Sequence, residues 1–555
     1  MEWTFGLGGR KRFVVLDTAY GGDGFFDAAV AASLLAGCRL HYIAIADSPL
    51  PGSRRLPQAG GRVTLDLLHA PIERALPQLD ARLDAILVRG LAGQGSGFVR
   101  PLARLALPGT QLVAEGLDSG QRDALTQAGF VFGDSRTRAV FATRKPVTPP
   151  TPPPPARRAI VVGAGLAGSA ACERLCARGW QVTLVERHAQ PATEASGNLA
   201  GIYMPLLSKD DNIPTRLTRA AYLFSLAYWR KLDGIEGAQC GVMQLARDAA
   251  HAQVQREIAR RWHYPADFAQ WLEPGEAAAL LGSGAPDGAW LFRQGGWARP
   301  GSVCASMLAA CGDRLATVFG AGTVGIGRHD DQWRVTGIDG SVIAEAPVLV
   351  LANGTGARAF EQASTLPLAS VRGQVSHLGE GMVPVLPFVL CREAYLTPAI
   401  NGIHSAGATY DLNDPDPRLR QSSHDENLAK VRSLLGDASL AVDAPLRGRV
   451  GFRCVAPDRL PLVGALAVAT PTGRAERLRD LPRHPGLYGL LGYASRGLIW
   501  APLAAELLAA QLEGEPLPLE RTLAEALDPA RFMLGRARKH AIVARQPPSK
   551  DFANE

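Results

Sequence analysis

The 555-residue sequence predicts an α/β protein of two domains. Three observations carry the prediction. Residues 12 to 145 alternate short apolar or β-branched runs with longer helical patterns, the signature of a doubly wound sheet. Pro146 to Pro155 reads PVTPPTPPPP, a break that no packed domain tolerates. Beyond it, a strand runs straight into a glycine-rich turn and a helix, and a second strand then ends on an acid.

In the first domain, Phe13 to Leu16, Leu40 to Ile45, Arg62 to Leu67, Ala85 to Val88, Gln111 to Ala114 and Ala139 to Ala142 read as strands. In the spacer, seven of ten residues are proline. Such a run lacks backbone donors and favours extended polyproline II, which keeps the flanking bodies separate. The expected organisation is therefore residues 1–145 as one domain, 146–156 as linker, 157–530 as a second domain and 531–555 as a basic tail carrying Arg536, Arg538, Lys539 and Arg545.

The second domain opens with strand Ala159 to Val162, helix Leu166 to Arg178 and strand Val182 to Glu186. Between the first two lies Gly163-Ala164-Gly165-Leu166-Ala167-Gly168. Each part has a physical task. Gly163 makes the turn, Gly165 admits a pyrophosphate to the helix N-terminus, Gly168 lets helix and strand pack closely, and Glu186 accepts from ribose hydroxyls. Arg187 follows as a further cofactor contact. A buried strand, Val348 to Leu351, appears much later before Asn353-Gly354, which implies a substrate domain inserted between the nucleotide-domain pieces.

The glycine fingerprint does not separate NAD from FAD, and later residues favour FAD. Ser196, Gly197 and Asn198 form a small polar loop soon after Glu186. Gly492, Ser495, Arg496, Gly497 and Leu498 open a long C-terminal helix running to about Leu512. The partial positive charge of a helix N-terminus would stabilise the anionic edge of a reduced flavin.

Composition narrows the remaining classes. No apolar run reaches the roughly 18 residues of a membrane-spanning helix, so no membrane role is expected. The eight cysteines form no CxxC pair, which predicts neither a metal site nor a disulfide framework, and Cys172 and Cys176, four apart in an Ala-rich helical segment, read as core thiols. The 59 Lys+Arg against 52 Asp+Glu give +7, a balance suited to an anionic partner. Arg256, Arg260 and Arg261 are candidate contacts for one, with a solvated helix face as the alternative. Met1 to Lys11 lacks a basic stretch leading into an apolar core, so we expect a cytoplasmic address and a monomer.

Six stretches of the second domain stand out: GAGLAG, EASGNLAGIYMPLLS (194–208), VRGQVSHL (371–378), CREAYLTPAINGIHSAGATYDLNDPD (391–416), GRVGFRCVAPDRLPLVG (448–464) and ASRGLIWAPLAAELLAAQLEGEPLPL (494–519). They carry a resemblance of residues 157 to about 530 to the FAD-dependent half of the MnmC family of bifunctional tRNA 5-methylaminomethyl-2-thiouridine biosynthesis proteins, relatives of glycine and D-amino-acid oxidases. It implies a glycine-oxidase-like FAD-binding fold with an inserted α+β substrate domain. It also implies a tRNA partner, bound at its anticodon loop, whose wobble uridine at position 34 carries a carboxymethylaminomethyl group that FAD helps to remove. Arg453 matches a carboxylate-binding Arg of the related amino-acid oxidases, with an ion pair to Asp458 as its structural alternative. Tyr395 is expected to support the same carboxylate or to pack as an ordinary aromatic. The competing functions are a glycine or sarcosine-type amine oxidase and a non-catalytic tRNA-binding protein.

The same resemblance gives residues 12–145 a Rossmann-like methyltransferase fold that uses S-adenosylmethionine (SAM), carried by HYIAIADSPL (41–50) and GGRVTLDLLHAPIERALPQL (60–79). Its site positions depart from the family. Where the family reads GFGTGLNF, this chain has Ala19 to Phe26 with Asp23 in place of a glycine. The ribose-binding acid aligns with Ala46, and Asp47 falls one residue late, on the other face of the strand. The family's DGFAP loop reads Arg89-Gly90-Leu91-Ala92-Gly93, and an Arg cannot serve as a base. The family's longer lead-in to this loop is largely missing as well. The expectation is a relic methyltransferase kept as a tRNA-binding or docking scaffold.

Overall fold

The computed structural model describes residues 5–7, 9–21, 24–48, 50–91, 93–143, 156–282, 284–436, 445–469 and 477–534. Asp23, Ala92, the proline run and the cations beyond residue 534 lie outside them. The chain divides into one unit of residues 1–155 with 509–524 and a second of 156–508 with 525–555. The return of residues 509–524 to the first unit is not anticipated by a linear division of the sequence.

In the first unit the strands are β1 (Arg12–Asp17), β2 (Arg39–Ile45), β3 (Gly52–Gln58), β4 (Val63–His69), β5 (Leu83–Val88), β6 (Ala106–Ala114), β7 (Phe130–Phe132) and β8 (Arg138–Phe141). They form one sheet in the order β3-β4-β2-β1-β5-β6-β8-β7. Each of the six expected strands is present. β3 is an addition that hydrophobic patterning does not reveal, because its inward residue is Arg55, buried and paired with Asp66 at 2.7 Å. The five central strands are parallel, and the order reverses between β1 and β5. That reversal is the switch point at which doubly wound sheets take their ligands. The helix α1 (Phe25–Leu35) follows β1.

The second unit begins with β9 (Arg158–Val162), α2 (Leu166–Cys176) and β10 (Gln181–Val185). Much later β11 (Val348–Leu351) pairs in parallel beside β9, as an inserted domain requires. The six-stranded sheet runs Leu315–Val318, β10, β9, β11, Arg483–Leu491, Leu462–Ala467. All but its last strand are parallel.

A nine-stranded sheet makes up much of the insertion and contains β12 (Ala369–Gly379), β13 (Tyr395–Leu396) and β14 (Arg447–Val455). Cross-strand partners share a face, so the register sorts its side chains. One face carries Met243, Leu390, Leu396 and Ala406, buried with Leu428 and Val431 of the helix α3 (Gln421–Leu435). Arg372, Gln374 and Ser376 of β12 point the same way. Ser376 pairs with His424 at 2.8 Å, and the Arg372 guanidinium donates to the carbonyls of Asp416 and Arg418 at 2.8 and 2.7 Å. This polar backing fixes β12. The opposite face bears Gln244, Cys391, Tyr395, Val375, Arg449 and Arg453 in cross-strand sequence.

Finally, α4 (Gly497–Glu513) is apolar along its length and interrupted by Pro502. Within the first unit, Arg12 donates to the carbonyls of Glu513 and Gly514, both at 2.9 Å, satisfying acceptors that a helix C-terminus leaves open.

Candidate active site

The turn from β9 into α2 is built on glycine because nothing larger fits. A Cβ on Gly163, whose φ is +104°, would meet the Ala352 carbonyl oxygen at 2.8 Å. One on Gly168 would lie 1.8 Å from the Gly163 carbonyl oxygen, inside any contact distance. Gly165, the N-cap of α2, faces the Ser196 hydroxyl, which accepts from the Leu166 amide at 3.1 Å. Glu186 follows β10 and is buried. Its two oxygens accept from the amides of Ala164 at 2.7 Å and His188 at 2.9 Å, so the acid is tied directly to the glycine turn. A carboxylate accepts about four hydrogen bonds, so this leaves acceptor capacity for ribose hydroxyls. Beside the turn, the buried side-chain oxygen of Asn353, Oδ1, has no protein partner. A glycine cradle, a buried acid and an orphaned acceptor fit a dinucleotide.

The N-terminus of α4 meets the same place. Gly497 abuts Leu166, and Gly201 leaves room for Leu498, so two helix N-termini converge on the loop of residues 193–201. Gly492 makes the preceding turn with φ +75°, and Arg496 donates to the Met204 carbonyl at 3.4 Å. Arg449 locks the loop from below. It donates to the Asn198 side-chain oxygen at 3.0 Å, to the Thr193 carbonyl at 2.6 Å and to the Glu194 carbonyl. Its guanidinium lies where a Cβ on Gly197 would stand. Sequence reasoning missed Arg449, although strand alternation places it on the face of Arg453, four residues later.

Arg453 and Tyr395 do come together on one sheet face. Burial lowers the Arg453 pKa, opposed by Tyr395, Tyr410 and Asp411, while burial pushes the Tyr395 phenol up to about 12. The guanidinium donates to the Thr409 carbonyl at 3.2 Å and lies 5.5 Å from the Tyr410 ring centre. Asp458 is not its partner. That acid pairs with Arg531 at 2.8 and 2.9 Å, and Arg531 is 5% exposed. The expected basic tail is thereby corrected at its first residue: Arg531 is a buried clamp. Among the described residues no carboxylate forms a salt bridge with Arg453, and Gly373 across the strand pair provides the room its head group occupies.

Arg187 is exposed and lies 3.7 Å from Glu194, and Ser495 is exposed. Arg256 pairs with Glu273 at 2.8 Å and lies 5.8 Å from the Trp271 ring centre. Six of the eight cysteines are buried, Cys172 and Cys176 among them. No described helix is long and apolar enough to cross a membrane.

In the first unit, the residues at the switch point contact one another. Arg89, just after β5, donates to Asp17 at the end of β1 through Nε at 3.1 Å and Nη2 at 2.6 Å. Asp47 is exposed, and Ala46 ends β2 by accepting from the His69 ring at 3.0 Å.

Comparison with known proteins places both units. Residues 158–511 match the family model described as FAD dependent oxidoreductase. The MnmC protein of Azoarcus sp. (strain BH72) is 40% identical, the match covering 96% of this chain and 91% of the relative. That of Paraburkholderia xenovorans is 42% identical over 89% of this chain and 80% of its own length. Among solved structures, glycine oxidase from Geobacillus kaustophilus covers 68% of this chain and 99% of its own with a TM-score of 0.54. L-proline dehydrogenase from P. horikoshii gives the same score over 69% and 99%. At 22% and 18% identity these two show the fold alone. Glycine cradle, converging helices and full-length relatives agree: the chain belongs to the MnmC family, with the FAD dependent oxidoreductase fold in its second unit.

Proposed function

We propose that this protein removes the carboxymethyl group from a carboxymethylaminomethyl uridine at the wobble position of tRNA, using FAD. The observation that carries the reading is the placement of Arg453, a desolvated guanidinium without a carboxylate partner among the described residues, on the face it shares with Tyr395. A half-buried Arg whose head group is desolvated in this way is costly unless an anion completes it. The proposed substrate supplies a glycine-like carboxylate, planar and matched to the guanidinium fork.

Gly163, Gly165, Gly168, Glu186 and the loop Ser196 to Asn198 hold FAD. When bound, it supplies the two-electron acceptor for turning the CH2–NH bond into C=N, which water splits into glyoxylate and an aminomethyl uridine. The chain's own work is orientation. Arg453 anchors the carboxylate and Tyr395 donates its hydroxyl to it. Because the phenol stays protonated at all physiological pH values, it remains a donor throughout. Arg449 fixes the loop that would contact FAD by bonding Thr193, Glu194 and Asn198, and the hydrogen-bonded rear of β12 holds Gly373 in register with Gly451.

Gly373→Ala tests the positioning. Its Cβ would stand 2.1 Å from the Arg453 Nη1, so the head group must move while the cofactor cradle is untouched. A displacement of this order is expected to lower kcat/KM on the order of 100-fold, with flavin content unchanged. Steady-state kinetics alongside the flavin-to-protein ratio check both halves of that expectation.

In the cell, nucleoside mass spectrometry of tRNA from a strain lacking this chain is the direct assay. The carboxymethylaminomethyl nucleoside is expected to accumulate. Its absence from the deletion strain would refute the proposed activity.

A further inference from the structure

We infer that the first unit has lost its SAM site to an internal ion-pair network, so the reaction carried by this chain stops at the primary amine. The inference rests on the proposed oxidase reading for the identity of that amine. It does not rest on it for the state of the site.

A ligand at the switch point of a doubly wound sheet needs acceptors at the strand ends and unused amides in the turns that follow. Here the acidic acceptor and, among the described residues, the amides of Thr18, Ala19, Tyr20 and Arg89 are already bonded within the protein. The Asp17 carboxylate accepts four hydrogen bonds: Arg89 Nε at 3.1 Å and the Ala19 amide at 3.1 Å on one oxygen, Arg89 Nη2 at 2.6 Å and the Tyr42 hydroxyl at 2.6 Å on the other. That is about the full acceptor capacity of a carboxylate. Tyr42 is fully buried and burial raises its phenol pKa, so it stays a donor to Asp17.

The backbone is closed in the same way. After β1, the Thr18 amide donates to the Leu87 carbonyl at 3.0 Å and the Tyr20 amide to the Ile45 carbonyl at 2.8 Å. After β5, the Arg89 amide donates to the Thr18 hydroxyl at 2.7 Å, and Arg89 Nη2 reaches the Ala19 carbonyl at 2.7 Å. These bonds stitch the ends of β1, β2 and β5 to one another. The Arg89 guanidinium also lies 5.7 Å from the ring centre of Phe25, the first residue of α1, so it stands between the strand end and that helix residue.

Charge reinforces the closure. SAM carries a sulfonium and an ammonium against one carboxylate, a net positive charge that a fixed guanidinium disfavours. Removing Arg89 from Asp17 to admit them would strand a buried carboxylate. The first unit therefore keeps a methyltransferase scaffold without a cofactor site. Wherever the methylated nucleoside is found beside this protein, a separate SAM-dependent amine methyltransferase must consume the primary amine.

The test uses the full-length flavoprotein. Calorimetric titration with SAM, and separately with its demethylated product, is expected to show no saturable binding up to millimolar ligand. Methyl-labelled SAM incubated with tRNA that already carries aminomethyl uridine is expected to transfer no label. Supplying the amine ready-made separates this test from the oxidase reaction. A micromolar dissociation constant, or label in the tRNA, overturns the inference whatever the flavin does. Absence of both, with a flavin that also ignores carboxymethylaminomethyl tRNA, would overturn the oxidase reading while upholding this one.

Discussion

Arg453→Ala is expected to purify as a yellow protein and to lose nearly all turnover. The guanidinium sits on the sheet face of the insertion and, among the described residues, makes no hydrogen bond to the glycine turn of β9 and α2, so flavin content should match the parent. What disappears is the charge-assisted anchor for the substrate carboxylate. Truncating one partner of a buried charge pair costs roughly 2–5 kcal/mol, which is about 30-fold to several thousand-fold in kcat/KM. Arg453→Lys should recover little, because an ammonium cannot reproduce the bidentate fork. An Arg453→Ala protein with ordinary kcat/KM would remove the assignment of this residue.

Gly168→Ala is the second large effect, and it acts on the cofactor. The new methyl would lie 1.8 Å from the Gly163 carbonyl oxygen, a backbone atom held in place because the Gly163 amide donates to Val185 at 2.8 Å. Relief requires α2 to lift away from β9, which pulls the Leu166 amide from Ser196 and spreads the turn. Overpacking a tight site costs typically about 1–3 kcal/mol and sometimes more, and here it falls on the cradle itself. The flavin dissociation constant should rise on the order of 100-fold, leaving a colourless protein. Gly165→Ala acts differently. Within the protein its methyl would meet Ser196 alone, the hydroxyl at 3.0 Å being a side-chain atom that can turn aside, so its cost falls on the approach of the pyrophosphate rather than on the packing of α2. Fluorescence titration of the apoprotein with FAD should show both variants binding more weakly than the parent.

The parts of this account that the sequence made legible are those whose physics is local. The strand, glycine turn, helix and closing acid from Arg158 to Glu186 lie within thirty residues of one another, and each requirement restricts residue type at a fixed spacing. The six apolar strands of the first unit were legible for the same reason. What stayed hidden depends on partners far along the chain. Arg531 belonged by composition to a basic tail, yet it locks Asp458, 73 positions earlier. β3 lacks an apolar stripe because its burial is achieved by the Arg55–Asp66 pair. Arg449 was overlooked because its contacts, Thr193, Glu194 and Asn198, lie some 250 residues upstream, where no local pattern signals them. Arg89 is the instructive middle case. Its identity already excluded a base, but only the geometry shows that it also spends the acceptors of Asp17.

The central claim is that the flavin of this chain oxidises a glycine unit carried on tRNA. Anaerobic mixing of the purified flavoprotein with tRNA bearing carboxymethylaminomethyl uridine, followed by flavin absorbance, tests it most directly. The account predicts that this tRNA bleaches the flavin in proportion to the modified nucleoside added, with glyoxylate released, and that tRNA lacking the modification does not. Bleaching by free glycine or sarcosine with none by the modified tRNA would contradict it.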